Sequence, residues 1–255
     1  MKKILLFLFF IAQINFIFSQ TEKAKIALLI DDVGNNIEVL ELFFQTKLKL
    51  NFAVIPFLAN SAKSLALIQK SKNIAILHMP MESFGNEELN SKTKGLLRTQ
   101  MSVLEIKANF EKALNSQGNT PKGFNNHMGS KFTSNTEKMS VLLKYAHQKN
   151  MYFIDSNTYT KIDENGVVLN AESGNAYLIA KNLGMKTIYN SLFIDNSNQV
   201  ENIEKALFLA AELAKMKGSI LIIGHCKENT AKALKNVKNQ LINQQVEFVF
   251  LTELF

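Results

Sequence analysis

The sequence has one cysteine, Cys226, no tryptophan, three prolines and a single arginine, Arg98. A lone cysteine excludes an internal disulfide and any zinc knuckle built on thiolates, so a metal site must draw on imidazoles and carboxylates. The absence of tryptophan argues against a dedicated glycan-binding module. With three prolines and 20% charged residues, the chain is not linker-rich or disordered. The net charge of +7 comes from lysines scattered along the chain. No dense Arg/Lys stripe interleaved with aromatics marks a nucleic-acid surface.

What is present is a core. Hydrophobic residues make up 47% of 255, enough for one large domain. Residues 1–20 have the features of a signal peptide: Lys2 and Lys3, an apolar run from Ile4 to Ala12, and Ser19 near the end. The run is about half the length of a membrane-spanning helix. Cleavage after Ser19 or Gln20 leaves a single domain over 21–255; the alternative is an uncleaved anchor. Both place the domain outside the cytoplasm, periplasmic in a two-membrane cell or secreted. No later stretch is long enough to span a membrane.

From Lys25 onward, short apolar runs alternate with amphipathic segments. Strands are expected at Lys25–Ile30, Leu50–Ile55, Asn73–Leu77, Gly123–Asn125, Met151–Ile154, Leu192–Ile194, Ser219–Ile223 and Val246–Leu251. Helices are expected at Asn36–Lys47, Ser61–Ser71, Ser102–Ser116, Asn135–Lys149, Gly174–Leu183, Val200–Lys217 and Asn229–Asn243. Ser102 with Glu105 forms a capping box, and Gly184 and Gly218 stop two of the helices. Repeated strand–helix units predict an α/β fold: a distorted (β/α) barrel of about seven parallel strands with outer helices. Met81–Met101 and Thr158–Ser173 are the longest irregular stretches.

Asp and His are scarce, which makes their positions informative. There are five Asp (31, 32, 155, 163, 195) and four His (78, 127, 147, 225). Seven of the nine fall just past the carboxyl end of an expected strand, where parallel α/β folds collect active groups. His147, within a helix, and Asp163, in a loop, are the exceptions. Loop-starting polar residues in general would account for one or two of these positions, but not for recurrence over six strands. Adjacent carboxylates such as Asp31 and Asp32 cannot both ionise cheaply in a dry site without a cation. One carboxylate and two neutral imidazoles form a common open metal site, leaving the second carboxylate as general base and a further His as acid.

These residues lie in runs that resemble the divergent polysaccharide deacetylase family, a branch of the carbohydrate deacetylases. The runs are IALLIDDVG (26–34), FAVIP (52–56), HMPME (78–82), GFNNHMGSKFT (123–133), YFIDS (152–156), FIDN (193–196) and IIGH (222–225). The resemblance extends from about Ala24 to the C-terminus, and NNHMGSKFT is its most specific run. It implies a metal-dependent deacetylase acting on an envelope carbohydrate such as an acetylated glycan or peptidoglycan, with zinc as the expected metal. It also implies Asp31 as base, Asp32, His78 and His127 as metal ligands, and His225 as acid. The wider family pairs two imidazoles four residues apart. Here that position is Glu82, so the second imidazole comes from His127 on another strand, or Glu82 contributes. Positions where the family pattern carries Arg hold Lys131, Asn157 and Asn190, which cannot copy a bidentate guanidinium.

The remaining candidates have two readings each. Asn125 and Asn126 either fix an imidazole tautomer or form an Asx turn. Asp155 and Asp195 either orient a His or substrate, or cap a turn or helix. Cys226 beside His225 invites a thiol-nucleophile reading, which a metal constellation makes unnecessary. The alternative to an enzyme is a non-catalytic exported protein that keeps the fold and binds a metal or glycan.

Overall fold

The structure is a computed structural model that describes residues 23–157, 161–162, 168–169 and 175–255. The expected leader segment 1–20, Asp163 and most of the 158–173 stretch lie outside the described residues. In chain order, the first half runs β1 (Ala24–Val33), α1 (Ile37–Phe44), β2 (Asn51–Val54), α2 (Ser61–Lys70), β3 (Ile74–Met81), α3 (Glu87–Lys92), α4 (Val103–Ser116) and β4 (Gly123–Met128). It continues with α5 (Ser130–Ser134), α6 (Thr136–Gln148), β5 (Tyr152–Asp155), β6 (Lys161–Ile162), β7 (Val168–Leu169), α7 (Asn175–Asn182) and β8 (Thr187–Tyr189). It ends with α8 (Val200–Lys217), β9 (Ser219–His225), α9 (Glu228–Asn243), β10 (Val246–Phe248) and a 3-10 turn at Leu251–Glu253.

Seven strands run parallel in the order β9-β1-β2-β3-β4-β5-β8, with β10 beside the first residues of β1. β6 and β7 form a separate antiparallel pair. Ser191 and Ile194 donate backbone bonds to β9, and Ile223 donates back to Leu192. The segment after β8 thus curls back toward β9, giving the expected distorted (β/α) barrel with helices outside.

Strand alternation sorts the side chains into layers. Ile26, Leu28 and Ile30 of β1 pack outward with Leu207 and Ala211 of α8 and Leu234 of α9. Ala27 and Leu29 point inward with Ala53, Ile76, Ile154, Leu221 and Ile223. Leu77 and Met79 of β3, Phe124 of β4 and Phe153 of β5 pack outward with Phe110 of α4 and Leu143 of α6. Burial on both faces is why β1 and β9 read as unbroken apolar runs. Each large buried side chain contributes roughly 1.5–3 kcal/mol of transfer free energy. The Ser102–Glu105 capping box is formed, and α8 ends at Gly218, whose φ of +82° suits a residue without Cβ.

Three expectations are corrected. β1, β3, β4 and β9 are longer than expected, so Asp31, Asp32, His78, His127 and His225 lie within the carboxyl-terminal halves of strands, not in the loops after them. Leu192–Ile194 is not a ladder strand but carries one bridge, Phe193 to Ile223; the strand beside β5 is β8. Met81–Met101 is not wholly irregular, because it contains α3. Among the described residues, no helix is long and apolar enough to cross a membrane.

Candidate active site

The inward parity that buries Ala27 and Leu29 continues to Asp31 at the top of β1. The same parity on β3, β4 and β9 turns His78, Asn125, His127 and His225 toward the barrel axis. Asp32 has the wrong parity. A bulge solves this: Ile30 pairs with Phe52 and Val33 with Val54, so two β1 residues oppose the single Ala53. Asp32 sits in the left-handed region at φ +61°, an uncommon conformation for a residue with Cβ. Both carboxylates therefore approach His78, whose Nε2 lies 3.2 Å from Asp32 Oδ1 and 3.6 Å from Asp31 Oδ2.

His127 completes a triangle. Its Nδ1 is 2.9 Å from Asp32 Oδ1 and 3.2 Å from His78 Nε2. The amide of Asn125 settles which nitrogen of His78 faces this point. Asn125 Nδ2 donates to Asp31 at 2.9 and 3.2 Å and to Ser156 Oγ at 3.1 Å, so its Oδ1 is the acceptor for His78 Nδ1–H at 2.6 Å. In the neutral ring, Nε2 then presents its lone pair to the centre. An imidazole lone pair, a second ring nitrogen and a carboxylate oxygen converging on one point form a cation-ligand set. Tetrahedral zinc with ligands at about 2.0–2.1 Å would space them about 3.3 Å apart, close to what is seen. The residues present fit a divalent metal.

Charge and burial act in opposition here. Burial pushes the Asp31 carboxyl above its ordinary value, outweighing the pull of His78 and His225. Burial also opposes ionisation of Asp32, but its bonds with His127 and His78 hold it well below the usual carboxylate range. Burial pushes the His78 imidazole down, yet Asp31 and Asp32 together raise it.

Across the β1–β9 pairing, Asp31 lies opposite His225. His225 Nδ1–H donates to Asp195 Oδ1 at 2.7 Å, and its backbone N–H to Asp195 Oδ2 at 2.8 Å. Thr230 Oγ1 donates to the same Oδ2 at 2.7 Å, and Phe193 stacks on the imidazole. Burial alone would lower His225, but Asp195 and then Asp31 and Asp32 raise it. Beside it, burial pushes the Cys226 thiol up to about 12, which removes the thiolate a nucleophile needs.

Other sequence candidates sit elsewhere. Glu82 stands outside the triangle of Asp32, His78 and His127. Its Oε2 accepts from the backbone and hydroxyl of Thr99, both at 2.8 Å, and its Oε1 from Lys131 Nζ at 3.0 Å. Glu82 therefore ties the end of the 82–101 segment to α5, and the second imidazole is that of His127. Asp155 has outward parity and accepts from the backbone N–H groups of Asn157 and Tyr177, each at 2.9 Å, closing a turn and capping the start of α7. Asn126 accepts from the Ser156 backbone and joins the ends of β4 and β5. Of the Arg-replacing residues, Lys131 pairs with Glu82, while Asn190 accepts from the Leu192 backbone. His147 lies in the last turn of α6 and is not part of the triangle.

The sequence did not single out Phe57 and Gly95 as a pair. A groove of about 490 Å³ opens beside Asp32 and His127, with Pro56 and Phe57 on one wall and Leu89 and Lys94 on the other. A Cβ on Gly95 would lie 2.4 Å from the Phe57 ring, so only glycine lets the 82–101 segment close on that wall. The Gly95 φ of +71° was the one signal that turn chemistry could have raised.

The sequence model of the family described as divergent polysaccharide deacetylase matches residues 28–255. The chain belongs to that family. The Escherichia coli K12 protein YibQ, itself uncharacterized, is 30% identical to this family member over 219 residues, which are 84% of this chain and 62% of YibQ. The chain thus spans less than two thirds of that relative. Among solved structures, an uncharacterized protein of Agrobacterium tumefaciens C58 superposes with a TM-score of 0.77 at 14% identity, covering 93% of this chain and 91% of that one. The catalytic domain of a peptidoglycan N-acetylglucosamine deacetylase from Eubacterium rectale ATCC 33656 gives 0.50 at 12% identity, covering 90% and 89%. At these identities the likeness speaks for the fold.

Proposed function

We propose that this family member is a metal-dependent hydrolase that removes an acetyl or related acyl group, N- or O-linked, from a cell-envelope carbohydrate. The observation that carries the reading is the convergence of Asp32 Oδ1, His78 Nε2 and His127 Nδ1 on one point, flanked by Asp31 and the His225–Asp195 pair. The family assignment and the fold shared with a peptidoglycan deacetylase domain support a carbohydrate substrate. A divalent ion held there, zinc by the chemistry of the donors, would polarise the acyl carbonyl and acidify water.

The chain's own residues supply the proton transfers. Asp31, raised by burial, accepts a proton from the water whose oxygen adds to the acyl carbon. His225, held protonated by Asp195, gives a proton to the leaving nitrogen or oxygen as its bond to the acyl carbon breaks. One water is consumed, and a carboxylic acid and a free amine or hydroxyl are released. The groove along Phe57 and Leu89 is where the sugar ring would lie. The basic, apolar start of the chain, Lys2 to Ala12, supports action outside the cytoplasm.

A second reading is a non-catalytic envelope protein that keeps the metal and binds glycan. It is favoured by two departures from the family pattern: Glu82 stands where a second imidazole is expected, and Lys131, Asn157 and Asn190 stand where Arg is expected. One assay separates the two. Purified protein loaded with zinc, cobalt or nickel is given acetylated glucosamine oligomers and peptidoglycan, and acetate is measured. Release that is lost in Asp31→Asn supports the hydrolase. Metal and glycan binding without release, unchanged in that variant, supports the second reading.

A further inference from the structure

Asn125 is fully buried at the middle of the site, and each side-chain polar atom has a defined task. Its Oδ1 faces His78 Nδ1 at 2.6 Å, and its Nδ2 reaches Asp31 Oδ1 at 2.9 Å and Ser156 Oγ at 3.1 Å. Ser156 Oγ in turn donates to the Asn126 carbonyl at 3.0 Å, which leaves it an acceptor toward Asn125. The amide therefore cannot flip. Flipped, it would present a carbonyl to the Asp31 carboxylate and an NH2 to the ring nitrogen that its present orientation keeps protonated.

We infer that Asn125 is the positioning residue that couples the two halves of this site, holding the base through its NH2 and the metal ligand through its carbonyl. The inference rests on the proposed hydrolase for the base half, and on the ligand triangle alone for the other. Ser156 locks the amide, so the direction of both bonds is fixed from the residue that follows β5, a strand that contributes no ligand. A neutral donor lets Asp31 keep a proton-accepting carboxylate without the ion pair a guanidinium would impose. The same residue, through its acceptor end, fixes which nitrogen of His78 turns to the centre.

Because the ends differ in polarity, one near-isosteric substitution separates them. Asn125→Asp keeps an acceptor for His78 Nδ1–H but places a carboxylate oxygen where a donor now meets Asp31. Asn125→Ala removes both. The test uses the full chain, with cobalt and zinc affinity measured by competition with a chromophoric chelator, and acetate release followed on loaded protein at saturating metal. N125A is expected to weaken metal binding about 10- to 100-fold. N125D is expected to bind metal within a few-fold of wild type while kcat falls by roughly 100-fold or more. Ser156→Ala, which removes the lock but leaves the His78 and Asp31 partners of Asn125 in place, should lower kcat by less than either. A purely structural amide would lower thermal stability in both variants and move metal affinity equally, and that result overturns the inference, as does an N125D protein with wild-type kcat. Should N125A not fold, N125D and S156A still decide it by the split between affinity and kcat. A wild-type protein that binds metal but releases no acetate counts against the hydrolase reading; the difference in affinity between N125A and N125D then decides for or against Asn125.

Discussion

Asp195 grips His225 at two points, accepting from the ring Nδ1–H at 2.7 Å and from the backbone N–H at 2.8 Å. The first bond leaves Nε2 as the nitrogen available to a substrate, and the second fixes where the ring stands. The carboxylate that does this is itself held below its ordinary range: burial raises it, but His225 and Thr230 outweigh that.

The pair predicts an alkaline limb for the reaction. His225 starts from an ordinary value of 6.5 and is raised, chiefly by Asp195, so it keeps the proton it delivers to higher pH than a free imidazole would. Activity should fall as pH rises through the raised value. The stability its charge contributes is fully present below 6.5 and is lost over the same rise. In Asp195→Asn the ring loses its main charged partner, so the limb should move to lower pH and kcat at neutral pH should drop roughly tenfold or more. A pH–rate profile of both proteins measures this; an unmoved limb would remove His225 from the acid role.

Metal stoichiometry is the next expectation. Elemental analysis of the folded protein should give one zinc per chain, or one cobalt after exchange, and His78→Ala or His127→Ala should abolish it. At metal concentrations 100 times Kd, binding should stabilise the fold by about 2.7 kcal/mol, and a chelator should remove both that increment and the activity. Glu82→Gln should leave the stoichiometry unchanged, because its carboxylate is committed to Thr99 and Lys131.

Asp31→Asn tests the base. The amide should keep the metal and lower acetate release by roughly 100- to 10,000-fold. It should also raise the melting temperature of metal-free protein at neutral pH. With its folded value raised, chiefly by burial, Asp31 favours the fold only while protonated, and that advantage is lost as pH climbs from 3.8 through the raised value. An amide carries no such penalty. A variant with wild-type turnover would take the base role from Asp31.

Much of this site was legible because strand parity is legible. The alternation that makes Ala27 and Leu29 face inward also turns Asp31 inward, and the same step of two links Leu221, Ile223 and His225. Asp155, one residue after inward-facing Ile154, belongs to the other face by the same rule and caps α7 there. What parity cannot give is Asp32, which depends on a bulge and a left-handed backbone that no periodicity encodes. α3 and α5 were missed because EELNSK and SKFTS are short and polar, with no apolar stripe to set a period. Thr187–Tyr189 was missed for its brevity, while the more apolar Leu192–Ile194 drew the assignment and forms only one bridge.

Glu82 shows how a candidate ligand can instead set the shape of the site, and it yields the last prediction. Its buried carboxylate gathers Thr99 and Lys131, and its backbone carbonyl accepts from Lys131 and Phe132 at 3.1 and 3.0 Å. The segment between residues 82 and 99, which walls the groove opposite Phe57, is thus closed at its base by one side chain. Burial would raise this carboxyl, but the Thr99 and Lys131 donors outweigh it and hold it below 4.5. Its stabilisation is therefore present above 4.5 and lost as pH falls through the depressed folded value. Glu82→Ala should cost roughly 1–3 kcal/mol at neutral pH, and the gap to wild type should narrow under acid conditions. Hydrogen exchange should quicken across residues 83–98 while metal affinity holds. With the wall loosened and the chemistry untouched, KM should rise more than kcat falls. Loss of metal in this variant would mean that the 82–101 segment supports the ligands, not only the groove.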